Sequence, residues 1–152
     1  MKVAARKSGL THLDAANRPT MVDVGGKAVT HRVASAEARI KLPADVARAL
    51  KRSGHRTKKG PVFDTAVIAG VQAAKRTHEL IPFCHPLPID SVKIEIEASR
   101  GRLCITCRVS VEHRTGVEME ALTAATIALL TIYDMAKALD KAMVIGEVRL
   151  LA

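Results

Sequence analysis

In "YDMAK", Asp134 and Lys137 stand three residues apart, so on a helix a carboxylate and an ammonium share one face. Such a pair is either an ordinary intrahelical ion pair or a lysine whose ammonium is oriented, and whose proton affinity is tuned, for acid–base work at the end of a buried helix. The pattern leaves both readings open. His85 is the second candidate. It lies beside Phe83 and Cys84 in "LIPFCHPLPID", residues 80–90, among Pro82, Pro86 and Pro88. Proline fixes φ and removes a backbone donor, so this stretch is expected to be a stiff extended loop. Such a loop either turns the chain or holds one imidazole still for a ligand.

"HRTGVEME" adds two carboxylates. Thr115 and Glu118 fit the Thr-x-x-Glu capping box, which makes Glu118 a helix-start fixture. Glu120, one turn further in, has no such structural reason. Glu120 and Asp134 are fourteen residues apart, which on one helix is ~21 Å. They cannot flank one bond within one chain, so if both act, the site joins neighbouring subunits. "HRTKKG" and Arg32 in "THRVA" supply cations that become a phosphate clamp only if they converge on the other candidates. Neither a P-loop nor a G-x-G-x-x-G fingerprint is present. Cys104 and Cys107 in "CITC" have metal-knuckle spacing, but on a strand they point to opposite faces.

The elements that must position these groups follow from periodicity. Residues 1–20 are polar and irregular and are expected to form a mobile arm. "VTHRVASAEARI" alternates loosely, as a strand does, and "PADVARALKRSG" has the proline start and glycine end of a short helix. A second helix is expected over 62–79, with Asp64 in its first turn and Lys75 and Arg76 near its end. "SVKIEIEA" and "LCITCRVSV" alternate strictly and are joined by a short turn, which makes a hairpin with one wet face. A third helix, 117–139, and a last strand in "MVIGEVRLL" follow. The order predicts one α+β domain over 1–152, a ferredoxin-like sandwich with helices on one face of an antiparallel sheet. The third helix is uncharged on every side between Ala121 and Tyr133. One sheet covers only one of its sides, so a second copy of the chain is expected on another.

Composition narrows the partners. Apolar residues make up 48% of the 152, and aromatics only 2%, so the core is built from Ala, Val, Leu and Ile. The net charge of +9 points to an anionic partner, and the lack of aromatics argues against stacking on single-stranded nucleic acid. A basic ferredoxin-like nucleic-acid-binding module is the alternative reading. Three cysteines make no disulfide framework, and "MKVAARKSG" has no apolar secretory core. The uncharged run "ALTAATIALLTIY" is too short to span a bilayer. A cytoplasmic protein without membrane contact is expected.

These segments together resemble a known family. "LTHLD", "MVDVGGKAVTHR", "KKGPVFDTAVIAGVQAAKRTHELIPFCHPL", "TGVEMEALTAATIALLTIYDMAKA" and "MVIGEVRLL" are similar to the cyclic pyranopterin monophosphate synthases, the MoaC family of molybdenum-cofactor biosynthesis, from about Leu10 to Ala152. The resemblance implies a cytoplasmic lyase of ferredoxin-like fold, a hexamer of three dimers with sites at the dimer interface. It would convert 3′,8-cyclo-7,8-dihydroguanosine 5′-triphosphate to cyclic pyranopterin monophosphate with release of diphosphate. Neither a redox cofactor nor a tightly held metal is expected. The resemblance makes Asp134 and Lys137 catalytic. It places Phe83, Cys84, His85, Met119, Glu120, Glu118, Lys59 and Arg32 at the substrate, Lys59 being favoured over Lys58 by the glycine that follows it. Members usually continue past "RLL" with a Lys-Ser-Gly-Gly-like tail, whereas this sequence ends at Ala152, so no tail lysine is carried over.

Overall fold

A computed structural model describes residues 12–152. The strict alternation of the two central strands governs its layout. In β5 (Arg102–His113), Leu103, Ile105, Cys107, Val109 and Val111 are buried, while the residues between them face outward. β4 (Ser91–Ser99) pairs with β5 in the register Val92↔Val109, Ile94↔Cys107 and Ile96↔Ile105, which puts both apolar sets on one face. The tight turn between them places Arg100 at φ 51° and Gly101 at φ 72°. Two successive positive φ values are what a two-residue hairpin needs to follow the twist of its strands.

β1 (Thr30–Lys41) lies against the other side of β5, and β6 (Val144–Leu150) lies against β1. The sheet order is therefore β4-β5-β1-β6, every neighbour antiparallel. With α1 (Ala44–Arg52) and α2 (Val62–Lys75) between β1 and β4, and α4 (Glu118–Ala136) between β5 and β6, this is the split βαβ arrangement of the ferredoxin-like sandwich. "HRTKKG" closes a small hairpin. β2 (Arg56–Thr57) pairs with β3 (Gly60–Pro61), which leaves Lys58 and Lys59 at the tip.

α2 and α4 pack on the same face of the sheet and on each other. Their buried positions are mostly small, Ala66, Gly70, Ala73 and Ala74 on α2 and Ala121, Ala124, Ala125 and Ala128 on α4, and Gly70 stands against Ala124 and Ala128. A Cβ on Gly70 would overlap Ile94 Cδ1 and lie 3.0 Å from the Ala124 carbonyl oxygen. Gly70→Val is therefore expected to destabilise the fold by about 1–3 kcal/mol through overpacking, read as a lower midpoint of thermal unfolding. An unchanged midpoint would mean that the two helices part freely.

Element ends differ from expectation in three places. The helix expected over 62–79 breaks at Arg76 (φ −112°, ψ 12°), and a single turn, α3 (Thr77–Leu80), follows. Thr77 Oγ1 donates back to the Ala73 and Ala74 carbonyls at 3.0 and 3.1 Å, a bond that competes with the helical ladder. The expected capping box does not form. α4 begins at Glu118 with Val117 as its cap, so Thr115 lies too far out, and its hydroxyl donates to the Gly116 carbonyl instead. At its other end α4 stops at Ala136, three residues before the expected 139.

With its charged ends included, α4 has 19 residues and is long and apolar enough to cross a membrane, although its uncharged run alone is not. Half of that length is buried inside the molecule, which is how a core helix reads. Its own chain does not cover it all round. Leu130 is 44% exposed, and Val144, Ile145, Val148 and Leu150 of β6 are exposed beside an unpaired strand edge. Of the arm expected over 1–20, residues 1–11 lie outside the described residues. Within them, His12 to Thr20 close a turn on the Asp14 carboxylate, which accepts the N–H groups of Ala16 and Arg18.

Candidate active site

Both ends of α4 carry a polar cluster, and the elements described above explain each. At the N-terminal end the proline stretch, residues 81–90, runs without helix or strand past the start of α4. His85 Nε2 donates to the Val22 carbonyl at 2.8 Å, which ties this loop to the segment leading into β1. With Nε2 so engaged, Nδ1 is the ring nitrogen left to accept from a ligand.

Between loop, helix and strand lies a cleft of about 340 Å³. Seven of the ten residues singled out from the sequence line it: Arg32, Phe83, Cys84, His85, Glu118, Met119 and Glu120. Sequence reasoning missed two cations at its rim, Lys27 and Arg114. Arg114 directly precedes the "TGVEME" stretch and Lys27 sits in "GGKAVTHR", so position beside a motif was the signal available.

The cleft brings groups of both charges together. Glu120 is buried, only 4% exposed, and burial pushes its carboxyl above the usual range, with the nearby Glu118 charge adding to the effect. Burial and the Glu120 charge in turn raise the Cys84 thiol, so this cysteine stays protonated and packs rather than reacts. Glu118 folds back over Gly116, where any side chain carbon would collide with its carboxylate. Arg32, Lys27 and Arg114 supply the positive charges. Arg32 Nε is buried and has no hydrogen-bond partner. A buried, unpartnered guanidinium nitrogen is costly unless something arrives to accept its proton. Such a cleft suits a ligand that carries both N–H groups and phosphate.

The second cluster is at the C-terminal end. Asp134 accepts from Lys137 Nζ at 2.7 Å and from Lys59 Nζ at 2.8 Å. Lys59 reaches across from the β2–β3 hairpin and also donates to the Asp134 backbone carbonyl at 3.2 Å. Lys59, not Lys58, is thus the lysine of that hairpin which converges on another candidate. Hydrogen bonds from Lys137 and Lys59 hold the Asp134 carboxyl down at about 2. The same carboxylate raises Lys137, by hydrogen bond first and charge second, so Lys137 enters any reaction as an ammonium, an acid rather than a base.

The remaining candidates fall outside both clusters. Cys107 is in the core, its thiol pushed up to about 12 by burial, while Cys104 faces the other side of the sheet and its thiol donates to Glu37 Oε2 at 3.8 Å. Strand alternation separates the two, as expected. Among the described residues no group of three or more His, Cys, Asp or Glu is placed to hold a metal ion.

Comparison with known proteins adds the lineage. The family model described as "MoaC family" matches residues 21–152. A protein of Xanthomonas oryzae pv. oryzae named cyclic pyranopterin monophosphate synthase is 58% identical over 153 residues, covering 100% of this chain and 93% of that protein. Its namesakes from Xanthomonas axonopodis pv. citri and Xanthomonas campestris pv. campestris are 57% and 56% identical over the same shares. Among solved structures, the designed protein Foldit4 is similar at a TM-score of 0.29 and 15% identity, over 81% of this chain and 98% of that one, too distant to carry any argument. The fold rests on the strand order itself, and by the family match and these full-length relatives the chain belongs to the MoaC family.

Proposed function

We infer that this chain carries out cyclic pyranopterin monophosphate synthesis in molybdenum cofactor biosynthesis, as the names of its relatives state for them. The substrate is a nucleotide-derived triphosphate, 3′,8-cyclo-7,8-dihydroguanosine 5′-triphosphate, and diphosphate leaves. The observation that carries this reading is that Glu118, Glu120 and Arg32 line one cleft together. A carboxylate accepts two N–H bonds from a guanine-type edge, and a guanidinium takes phosphate oxygens in the same way. Phe83, Cys84, His85 and Met119 form the walls, with His85 Nδ1 free to accept from the substrate.

The acid–base work falls to the other end of α4. Ring opening and closure need protons given and taken, and Lys137, held as an ammonium by Asp134, gives one. Lys59 keeps Asp134 ionised and, once substrate is near, shares its charge with the departing phosphates.

The two clusters lie ~21 Å apart along one helix, so one catalytic centre needs two copies. The exposed apolar residues of β6, its open edge, and Leu130 on α4 support a homodimer that seats one copy's Asp134, Lys137 and Lys59 against the other's cleft. A hexamer of three such dimers follows from the resemblance. Three free cysteines accord with a cytoplasmic setting.

The test is to incubate the pure protein with the cyclised dihydroguanosine triphosphate and assay diphosphate and an oxidisable pterin. Release of both in equal amounts is expected. If oligonucleotides rather than triphosphates raise the unfolding midpoint, and no pterin forms, the chain is the nucleic-acid-binding module instead.

A further inference from the structure

The outer face of the sheet, away from α2 and α4, holds a pairing that stability alone does not explain. Lys93 of β4 stands directly opposite Arg108 of β5, and Ser91 stands opposite Ser110 on the row beside them. These residues alternate with the core-facing Val92, Ile94, Cys107 and Val109, so their side chains share the solvent face. Two like charges directly opposed across a strand pair repel, and serine is a poor filler for a strand. Elsewhere on this face carboxylates do pair with cations, Glu37 with Arg39 and Arg149 at 3.1 and 2.6 Å. Around Lys93 and Arg108 they do not. Among the described residues neither cation lies within ion-pair distance of any carboxylate. Glu95 is on the next row opposite Thr106, Glu112 is opposite His31, and Asp90 is occupied by the Glu112 N–H at 2.8 Å.

Lys93, Arg108, Ser91, Ser110, His31 and Val33 together line a recess of about 200 Å³. Its polar groups can all donate: one ammonium, one guanidinium, two hydroxyls and an imidazole. Its lining contains no carboxylate. Paired strands carry all six residues, so the backbone positions from which the donors reach are fixed. We propose that this recess is a second binding site, for the phosphate group of a small anion, on the opposite face of the sheet from the catalytic cleft. A bound phosphate neutralises the Lys93–Arg108 repulsion and accepts from both serines. The site depends on neither the cleft nor Asp134.

The experiment is titration calorimetry at low ionic strength, in an Arg32→Ala background that weakens phosphate binding at the cleft. Lys93→Gln and Arg108→Gln are compared with that parent, using inorganic phosphate, diphosphate and adenosine monophosphate as separate probes. Binding in the parent that weakens about ten-fold or more in each variant is the expected result. The preferred probe then names the source, a free phosphate or a nucleotide. In phosphate-free buffer Arg108→Gln is also expected to unfold at a higher temperature than the parent, because it loses a repulsion. Equal affinity in parent and variants, or no binding in either, overturns the site. In the otherwise wild-type chain Arg108→Gln keeps full pterin formation, so failure here is distinct from failure of the proposed reaction.

Discussion

Asp134→Asn is expected to fold and assemble as the parent does and to form pterin about 10²–10⁴-fold more slowly, because it disarms Lys137 and one acid–base group usually contributes that much. The substitution keeps the shape and an acceptor oxygen but removes the charge that orients Lys137 and Lys59. Lys137 then loses the cause of its raised pKa and falls toward the ordinary lysine value. If Lys137 acts as the acid, the basic limb of the pH–rate profile moves to lower pH in the variant. Lys137→Ala abolishes the residual activity as well. Stability is a poor alternative explanation. The Asp134 carboxyl is depressed, so its stabilising effect is present above the unfolded value near 3.8 and is lost as pH falls from there toward about 2. The pair is half exposed and solvent-screened, so at neutral pH the unfolding midpoint hardly moves. The check is single-turnover kinetics across pH, with gel filtration for the assembly. Parental turnover by either variant would remove the assignment.

That both lysines meet Asp134 was only half legible in the sequence. Lys137 is three residues away on the same helix, and helical spacing announces it. Lys59 arrives from 75 residues away, and although the glycine after it favoured it over Lys58 within the family resemblance, no helical or strand spacing pointed it at Asp134. The same contrast holds for the fold. β4 and β5 were plain because apolar and polar residues alternate along the buried part of the hairpin, Cys104 alone excepted. β1 alternated only loosely because Arg32 stands on the row of the buried Ala34, Ala36 and Ala38, where it serves the cleft, while apolar Val33 stands exposed on the outer row. The capping box was misread because Thr-x-x-Glu fits the letters while the helix starts at the glutamate, not one turn before it. Helix starts depend on backbone geometry that a four-residue pattern does not fix. The cleft was legible as a set of residues, because the proline loop and the start of α4 each keep their polar groups close in sequence. That Arg32 joins them was not legible in any local pattern, since it comes from β1 and enters only when the sheet is assembled.

Glu120→Gln is expected to make the protein more stable and less active at once. A carboxylate at 4% exposure is disfavoured in the folded chain, and its pKa is raised chiefly by burial. With the folded pKa raised, the stabilising contribution belongs to the protonated form. It is complete below the unfolded value near 4.5 and is lost as pH rises through the folded one. Glutamine has nearly the same shape and carries no charge at any pH. Near pH 4 parent and variant should therefore unfold together, and at pH 7 the variant should unfold higher. Each 1 kcal/mol is worth about 2–4 °C for a chain of this size. Activity moves the other way. If Glu120 accepts N–H groups of the substrate's guanine-type edge, glutamine replaces one acceptor with a donor and leaves a facing N–H unpaired. Affinity for the triphosphate then falls about 10- to 100-fold. Calorimetric melts at the two pH values, set beside KM for the variant, separate the two effects. A variant less stable at pH 7, with parental KM, would make Glu120 a structural residue and leave the carboxylates of the cleft without their role.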